Sequence, residues 1–257
     1  MADIEVEAVS KVFVSARKET TALNETDLTI KHNETVCIVG PSGCGKTTLL
    51  NLIAGFDQPT TGSIRVGGVP VVGPSADRAV VFQADAVFPW LTVAGNVAFG
   101  PTAQGVPATA RQERVRRFLS LVGLDDFGGA FPKELSGGMR KRVDLARAYA
   151  SNPEILLLDE PFGALDLFTK ETMWVALKRV AEAEPKTVVF VTHDIEEALF
   201  LGDRVVVMTP RPARVDSIVT VPFGPDRALD LRGDPEFQAL RMSISHSLRE
   251  VQNYDAA

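Results

Sequence analysis

The sequence predicts an α/β fold, in which a buried core sheet is joined by an N-terminal antiparallel β subdomain and an inserted α-helical subdomain. Three observations support this. Short apolar runs recur at Thr35-Val36-Cys37-Ile38-Val39, Ile155-Leu156-Leu157-Leu158 and Thr187-Val188-Val189-Phe190-Val191-Thr192, as parallel strands buried on both faces require. The opening segment from Ile4 to Ile30 alternates apolar and polar residues instead, the pattern of an antiparallel hairpin or edge sheet with one wet face. Beyond Phe88-Pro89-Trp90 the composition shifts to stretches rich in Ala, Arg and Leu at helical spacing.

Taken in order, the N-terminal segment holds a polar stretch, Ser15 to Thr21, predicted to be exposed. Phe13 is its single aromatic residue and suits either a core position or a platform on which a base could stack. The strand Thr35–Val39 leads into Gly40-Pro41-Ser42-Gly43-Cys44-Gly45-Lys46-Thr47-Thr48, and a helix follows from Leu49 to Ala54, stopped by Gly55. A strand, this spacing of glycines, a lysine and a hydroxyl, and then a helix make a phosphate-cradling loop. Consecutive backbone N–H groups must turn inward there, so Gly40, Gly43 and Gly45 stand where a Cβ would obstruct the turn or the ligand. The helix points its positive end at the same anion, Lys46 reaches the β and γ phosphates, and the Thr47 hydroxyl can ligate Mg²⁺.

After this loop, Gly62 to Gly68 reads as a short strand flanked by turn glycines, and Ala79-Val80-Val81-Phe82-Gln83 as a strand ended by Gln83. Phe88 and Trp90 are predicted to be exposed. Arg111 to Val122 places Val115, Phe118, Leu119 and Val122 on one helical face. In Leu135-Ser136-Gly137-Gly138-Met139, Ser136 is a candidate N-cap for a helix from Arg140 to Ala150, and the two glycines leave that helix end open to a second anion. The strand from Ile155 ends in Asp159 and Glu160, at the carboxyl edge where open α/β sheets bind ligands. Asp159 suits Mg²⁺, and Glu160 suits deprotonation of an attacking water. Asp166 precedes a helix with Trp174, Leu177 and Ala181 on one face, and His193 ends the strand Thr187–Thr192. Gln83, Glu160 and His193, each closing an apolar strand, are predicted to converge on one edge. Arg204 to Met208 closes the sheet, Pro210 and Pro212 break the chain, and Glu236 to Val251 reads as a helix with Phe237, Leu240, Ile244 and Leu248 inward.

Composition narrows the possible functions. No apolar run is long enough to cross a bilayer, and Met1-Ala2-Asp3-Ile4-Glu5 lacks the basic and apolar regions of a signal peptide, so a cytosolic chain is expected. A net charge of −6 argues against a broad nucleic-acid footprint. Cys37 and Cys44 fit no disulfide or metal spacing; Cys44 reads as a small residue that fits its loop, with a reactive thiol as the alternative.

Together these motifs resemble the ATP-binding cassette subunits of membrane transporters, from about Val6 to Met208. The resemblance rests on the phosphate loop from Gly40 to Thr48, Gln83 as the Q-loop glutamine, Leu135-Ser136-Gly137-Gly138 as the signature, the acids Asp159 and Glu160, Ala164-Leu165-Asp166 as the D-loop, and His193 as the switch histidine. Met139 departs from the usual glutamine. The resemblance implies a P-loop NTPase with a RecA-like core sheet. Its implied parts are residues 1–85 (β subdomain and first part of the ATP-binding core), 86–152 (helical and signature subdomain), 153–220 (second part of the core) and 221–257 (C-terminal extension). It further implies ATP and Mg²⁺ as ligands, with Thr47, Gln83 and Asp159 around the metal. ATP would lie between the phosphate loop of one copy and Ser136, Gly137 and Gly138 of a second copy or a paralogue, with Asp166 communicating across the interface. Phe88-Pro89-Trp90, Phe162-Gly163 and Met208-Thr209-Pro210-Arg211-Pro212 narrow the resemblance to bacterial importers of nitrate, sulfonate and taurine. Such a subunit works at the cytoplasmic face of the inner membrane, docks on permease subunits through the Phe88, Pro89 and Trp90 region, and serves a solute-binding protein indirectly. Alternatives are an exporter subunit, or a soluble cassette ATPase acting on nucleic acid or the ribosome.

Overall fold

The computed structural model describes residues 2–15 and 18–254, with side chains described as far as Val251. Along the chain the strands are β1 (Ile4–Ser15), β2 (Lys18–Ile30), β3 (Thr35–Val39), β4 (Thr61–Val66), β5 (Val69–Pro70), β6 (Arg78–Val81), β7 (Ile155–Asp159), β8 (Thr187–Thr192), β9 (Arg204–Met208) and β10 (Val215–Thr220). The helices are α1 (Lys46–Ala54), α2 (Val93–Ala103), α3 (Ala108–Leu121), α4 (Gly137–Ala150), α5 (Leu167–Ala183), α6 (Ile195–Leu201) and α7 (Pro235–Tyr254). They form two compact units, Met1–Ser75 with Thr187–Ala257, and Ala76–Lys186.

In the first unit, β1 pairs antiparallel with β2 and with β4, and β5 adds beyond β4. Ser15 faces Lys18 at the hairpin end; Ala16 and Arg17, within the stretch predicted to be exposed, lie outside the described residues. The register slips at Ala8, whose φ of 47° marks a bulge. The Asp27 carboxylate accepts the freed Ala8 N–H at 2.8 Å. Opposite it, a Cβ on Gly62 would lie 2.3 Å from the Ala8 carbonyl oxygen, so only glycine lets the two strands approach.

The same unit holds β3 between β8 and β9, parallel to both, with β10 antiparallel beyond β9. Val36 to Val39, Val189 to Val191 and Val205 to Met208 are wholly buried, which is why the sequence runs without alternation there. Val39 lies opposite Thr192, so the loop beginning at Gly40 and the turn carrying His193 leave the sheet side by side. The helix predicted from Glu236 runs from Pro235, an N1 residue whose missing N–H costs nothing at a helix start. Phe237 and Ile244 are buried, while Leu240 and Leu248 are half-buried.

In the second unit, β6 runs parallel to β7 with Val81 opposite Leu158, so the segment carrying Gln83 and the pair Asp159–Glu160 leave from one end. The predicted strand through Gln83 stops at Val81. The buried Lys141 ammonium takes the Phe82 and Gln83 carbonyls at 3.0 and 2.8 Å, so the backbone there is satisfied by a side chain and not by a ladder. α3 buries Val115, Phe118 and Leu119, with Val122 just beyond it, and α5 buries Met173, Trp174, Leu177 and Val180 while Ala181 is half-covered. Among the described residues no helix is long and apolar enough to cross a membrane.

Candidate functional site

The phosphate loop turns through left-handed backbone at Gly43 (φ 71°) and Gly45 (φ 134°). A Cβ on Gly45 would meet the Ala22 carbonyl oxygen at 2.9 Å, and one on Gly40 the Met208 carbonyl oxygen at 3.1 Å. Gly45 caps α1 with no side chain accepting from the first turn, and that turn, Lys46-Thr47-Thr48, carries no acid. The first turn and the positive end of the helix thus face the loop without a competing acid, as at an anion site. Lys46 is 4 % exposed and donates to the Gly40 and Pro41 carbonyls at 2.9 and 3.0 Å, which folds its ammonium into the curve of the loop. Ser42 and Thr47 are exposed, Pro41 and Thr48 half-buried. Burial pushes the Cys44 thiol up against the opposing pull of Lys46, so this cysteine fills space and is not primed as a thiolate.

His193 is exposed immediately after β8, on a turn fixed from both sides. The Thr192 hydroxyl donates to the buried Glu197 carboxylate and accepts the Asp194 N–H at 3.0 Å. Asp194 in turn caps α6, accepting the Glu196 and Glu197 N–H groups. Phe13 is 44 % exposed, so the core alternative does not hold; the Lys11 ammonium lies over its ring, 4.9 Å from the centroid.

The second unit carries the other predicted residues. Ser136 caps α4, its hydroxyl accepting the Met139 N–H at 3.2 Å. Gly137 faces open space apart from the tip of Arg140, whereas a Cβ on Gly138 would lie 2.4 Å from the Thr169 Cγ2. Asp166 caps α5, accepting both the Thr169 N–H at 3.1 Å and its hydroxyl at 2.6 Å. These bonds hold the Asp166 carboxyl below the usual carboxylate range. Gly138 and Asp166 thus meet at Thr169. Asp159 and Glu160 are half-buried at the end of β7, and Glu160 is a non-glycine residue at φ 43°, backbone that such residues adopt rarely and mostly at functional positions.

One face of α4 was not legible as functional. Lys141, Asp144 and Arg147, three residues apart, all grip the segment after β6. Arg140 adds a 2.7 Å ion pair to Asp85, and Lys141 binds the carbonyls already named. Asp144, 1 % exposed, accepts the Ala86 N–H at 3.1 Å and pairs with Arg147 at 2.7 Å, while Arg147 donates to the Ala86 carbonyl. Burial raises the Asp144 carboxyl and the Arg147 charge opposes it. Asp144→Ala leaves the Arg147 Nη2 and the Ala86 N–H without their acceptor, and is expected to cost about 3 kcal/mol. A fall in Tm of roughly 6–12 °C would register it, with Asp144→Asn falling less because an acceptor remains.

Buried Asn96 was missed as well, although a lone amide in the first turn of an apolar helix is a signal. Its Oδ1 accepts the Phe88 N–H at 2.7 Å, and its Nδ2 donates to the Phe88, Leu91 and Thr92 carbonyls at 3.1, 3.2 and 3.0 Å. The expectation that both aromatics are exposed is half corrected. Trp90 is 71 % exposed, but Phe88 is half-buried, with its ring 4.5 Å from Phe99 by centroid and the Arg147 guanidinium 4.9 Å from its own.

The family described as ABC transporter matches residues 23–163, more than half of the chain. The chain belongs to the ABC transporter family. Within it, this chain is an ATP-binding subunit and an ATPase, hydrolysing ATP to ADP and phosphate in a reaction coupled to transport. A taurine import ATP-binding protein of Chromobacterium violaceum is 49 % identical over 228 residues, covering 87 % of this chain and 87 % of that one. A bacterial ABC transporter cassette solved as a dimer superposes with a TM-score of 0.74 at 34 % identity, over 86 % of this chain and all of that one. The same cassette in a post-hydrolysis state with ADP and Pi gives a TM-score of 0.73 at 32 % identity, again over 86 % of this chain and all of that one.

Proposed function

We propose that this ABC ATPase is the motor subunit of a bacterial importer for a small anion of the nitrate, sulfonate and taurine class. The observation that carries the reading is the 49 % identity to a taurine import protein across 87 % of both chains. The presence of two anion-seeking helix ends in one chain supports pairing around two ATP, with a second copy or a paralogue. In that pair, Lys46 and the loop N–H groups from Gly43 to Thr48 hold the phosphates, and the second copy's Ser136, Gly137 and Gly138 complete the site. Glu160 accepts the proton of the attacking water, His193 contacts the γ-phosphate, Asp166 relays across the interface and Phe13 stacks on the base.

Mg²⁺ would be held by Thr47, Gln83 and Asp159, and supplies charge neutralisation at the phosphates. The donor set fits: hydroxyl, amide and carboxylate oxygens are hard ligands, and among the described residues no cluster of three or more His, Cys, Asp or Glu competes as a cage. The subunit sits at the cytoplasmic face of the inner membrane and meets the permease through Trp90, Pro89 and the flank of Phe88; a solute-binding protein acts through that permease.

Trp90→Ala tests the docking claim. The variant is expected to keep its basal ATPase rate within about twofold and to lose transport-coupled stimulation and co-purification with the permease. Equal uptake and equal assembly would refute it. Uptake of none of taurine, sulfonates or nitrate by the reconstituted parent would sink the substrate class.

A further inference from the structure

The segment from Met208 to Ala213 lies along the outer side of the phosphate loop. Gly40 abuts Met208, where an added Cβ would lie 3.1 Å from the Met208 carbonyl oxygen, and Gly45 abuts Ala213, at 3.4 Å from its Cβ. Between these ends, the Arg211 Nη2 donates to the Gly43 carbonyl at 2.7 Å. The turn that presents it is stiff. Pro210 and Pro212 fix their own φ angles on either side of Arg211, and Thr209 closes the turn, its N–H donating to the Arg214 carbonyl at 3.0 Å and its hydroxyl accepting the Arg214 N–H at 3.0 Å. Ala213 is then tied to β2, donating to the Ala22 carbonyl at 3.1 Å and accepting from Asn24 at 2.8 Å.

We propose that Arg211 is a positioning residue for nucleotide binding: its guanidinium holds the Gly43–Cys44 peptide by the carbonyl and thereby turns the N–H end of that peptide into the loop. The proposal rests on the assignment of this loop as the ATP phosphate site. In a trans peptide, C=O and N–H point in opposite directions, so a cation anchored on the Gly43 carbonyl also fixes the Cys44 N–H, which closes the turn of the loop onto the Pro41 carbonyl at 3.3 Å. The same charge polarises the peptide and strengthens that N–H as a donor, to the Pro41 carbonyl in the nucleotide-free loop and to an anion that displaces it. Lys46 works from within the curve of the loop and Arg211 from without, so the loop is braced between two cations before any phosphate arrives. A loop already braced loses less freedom on binding, and the effect falls on affinity and not on the chemical step. Because the Gly43 contact is a single donor and not a two-pronged fork, a lysine can stand in for it.

The test measures ADP affinity of the full chain by calorimetry, and KM and kcat for ATP, in Arg211→Ala and Arg211→Lys. Arg211→Ala is expected to weaken ADP binding and raise KM about fivefold, the reach of one partly exposed charge-assisted hydrogen bond. Its kcat should stay within about twofold, and its Tm without nucleotide within about 1 °C of the parent. Arg211→Lys should return affinity to within about twofold of the parent. Unchanged affinity in Arg211→Ala, a loss in kcat with KM intact, or a lysine variant as weak as the alanine variant would each overturn the proposal. Lys46→Ala separates this from failure of the underlying assignment. If that variant still binds ADP at parental strength, the loop is not the nucleotide site. If it binds weakly while Arg211→Ala binds normally, the role of Arg211 alone is lost.

Discussion

Glu160→Gln is expected to slow ATP turnover by roughly 10²–10⁴-fold while ATP still binds and the nucleotide-bound pair persists. The substitution preserves size and hydrogen-bonding capacity but removes the basic oxygen that accepts a proton from water. Glu160 stands on backbone at φ 43°, straight after a strand buried along Ile155 to Leu158, and its carbonyl accepts the Gly163 N–H at 3.2 Å. Strain of this kind is retained where the surroundings over-determine it, here by buried Pro161 and Phe162. The backbone that carries the side chain is thus held in place, and a glutamine should start from the same position. Single-turnover phosphate release is the measurement that decides. A parental rate would remove Glu160 as the base, and a variant unable to bind ATP would show that its role is structural.

Lys46→Ala is expected to weaken ATP and ADP binding by about 10- to 100-fold, the scale of charge-assisted hydrogen bonds to phosphate. The lysine has a second duty that makes the effect larger than a lost surface charge. Its ammonium is 4 % exposed and bridges the Gly40 and Pro41 carbonyls, so alanine also takes a charged donor from each, leaving Pro41 only the Cys44 N–H. A loss of about 1–2 kcal/mol in nucleotide-free stability should accompany the loss of affinity. Calorimetric titration with ADP reads the first and thermal unfolding the second; unaltered affinity would contradict the assignment of the loop.

Much of the core was legible because burial on both faces leaves no polar residue to interrupt the pattern. Thr35–Val39, Thr187–Thr192 and Arg204–Met208 are strands at the bounds their apolar runs suggest. The loop and α1 were legible because backbone geometry imposes glycines: Gly43, Gly45 and Gly55 all have positive φ. What escaped was decided by partners distant in sequence. The strand before Gln83 ends early because Lys141, 58 residues on, satisfies the Gln83 carbonyl. Asp144 and Arg147 drew no attention in the sequence, because they bind an irregular segment for which no periodicity exists. Arg211 looked like one residue in a proline-rich break, and only the folded chain brings it to Gly43.

The hold of Asn96 on the main chain around Phe88 separates two things usually bound together. Conformation there is dictated by an amide that grips N–H and C=O, atoms every residue possesses, so the Trp90 ring, largely exposed, is carried by that frame and does not shape it. If the permease docks here as proposed, the exposed ring at position 90 can be exchanged while the main-chain socket beneath it keeps its shape.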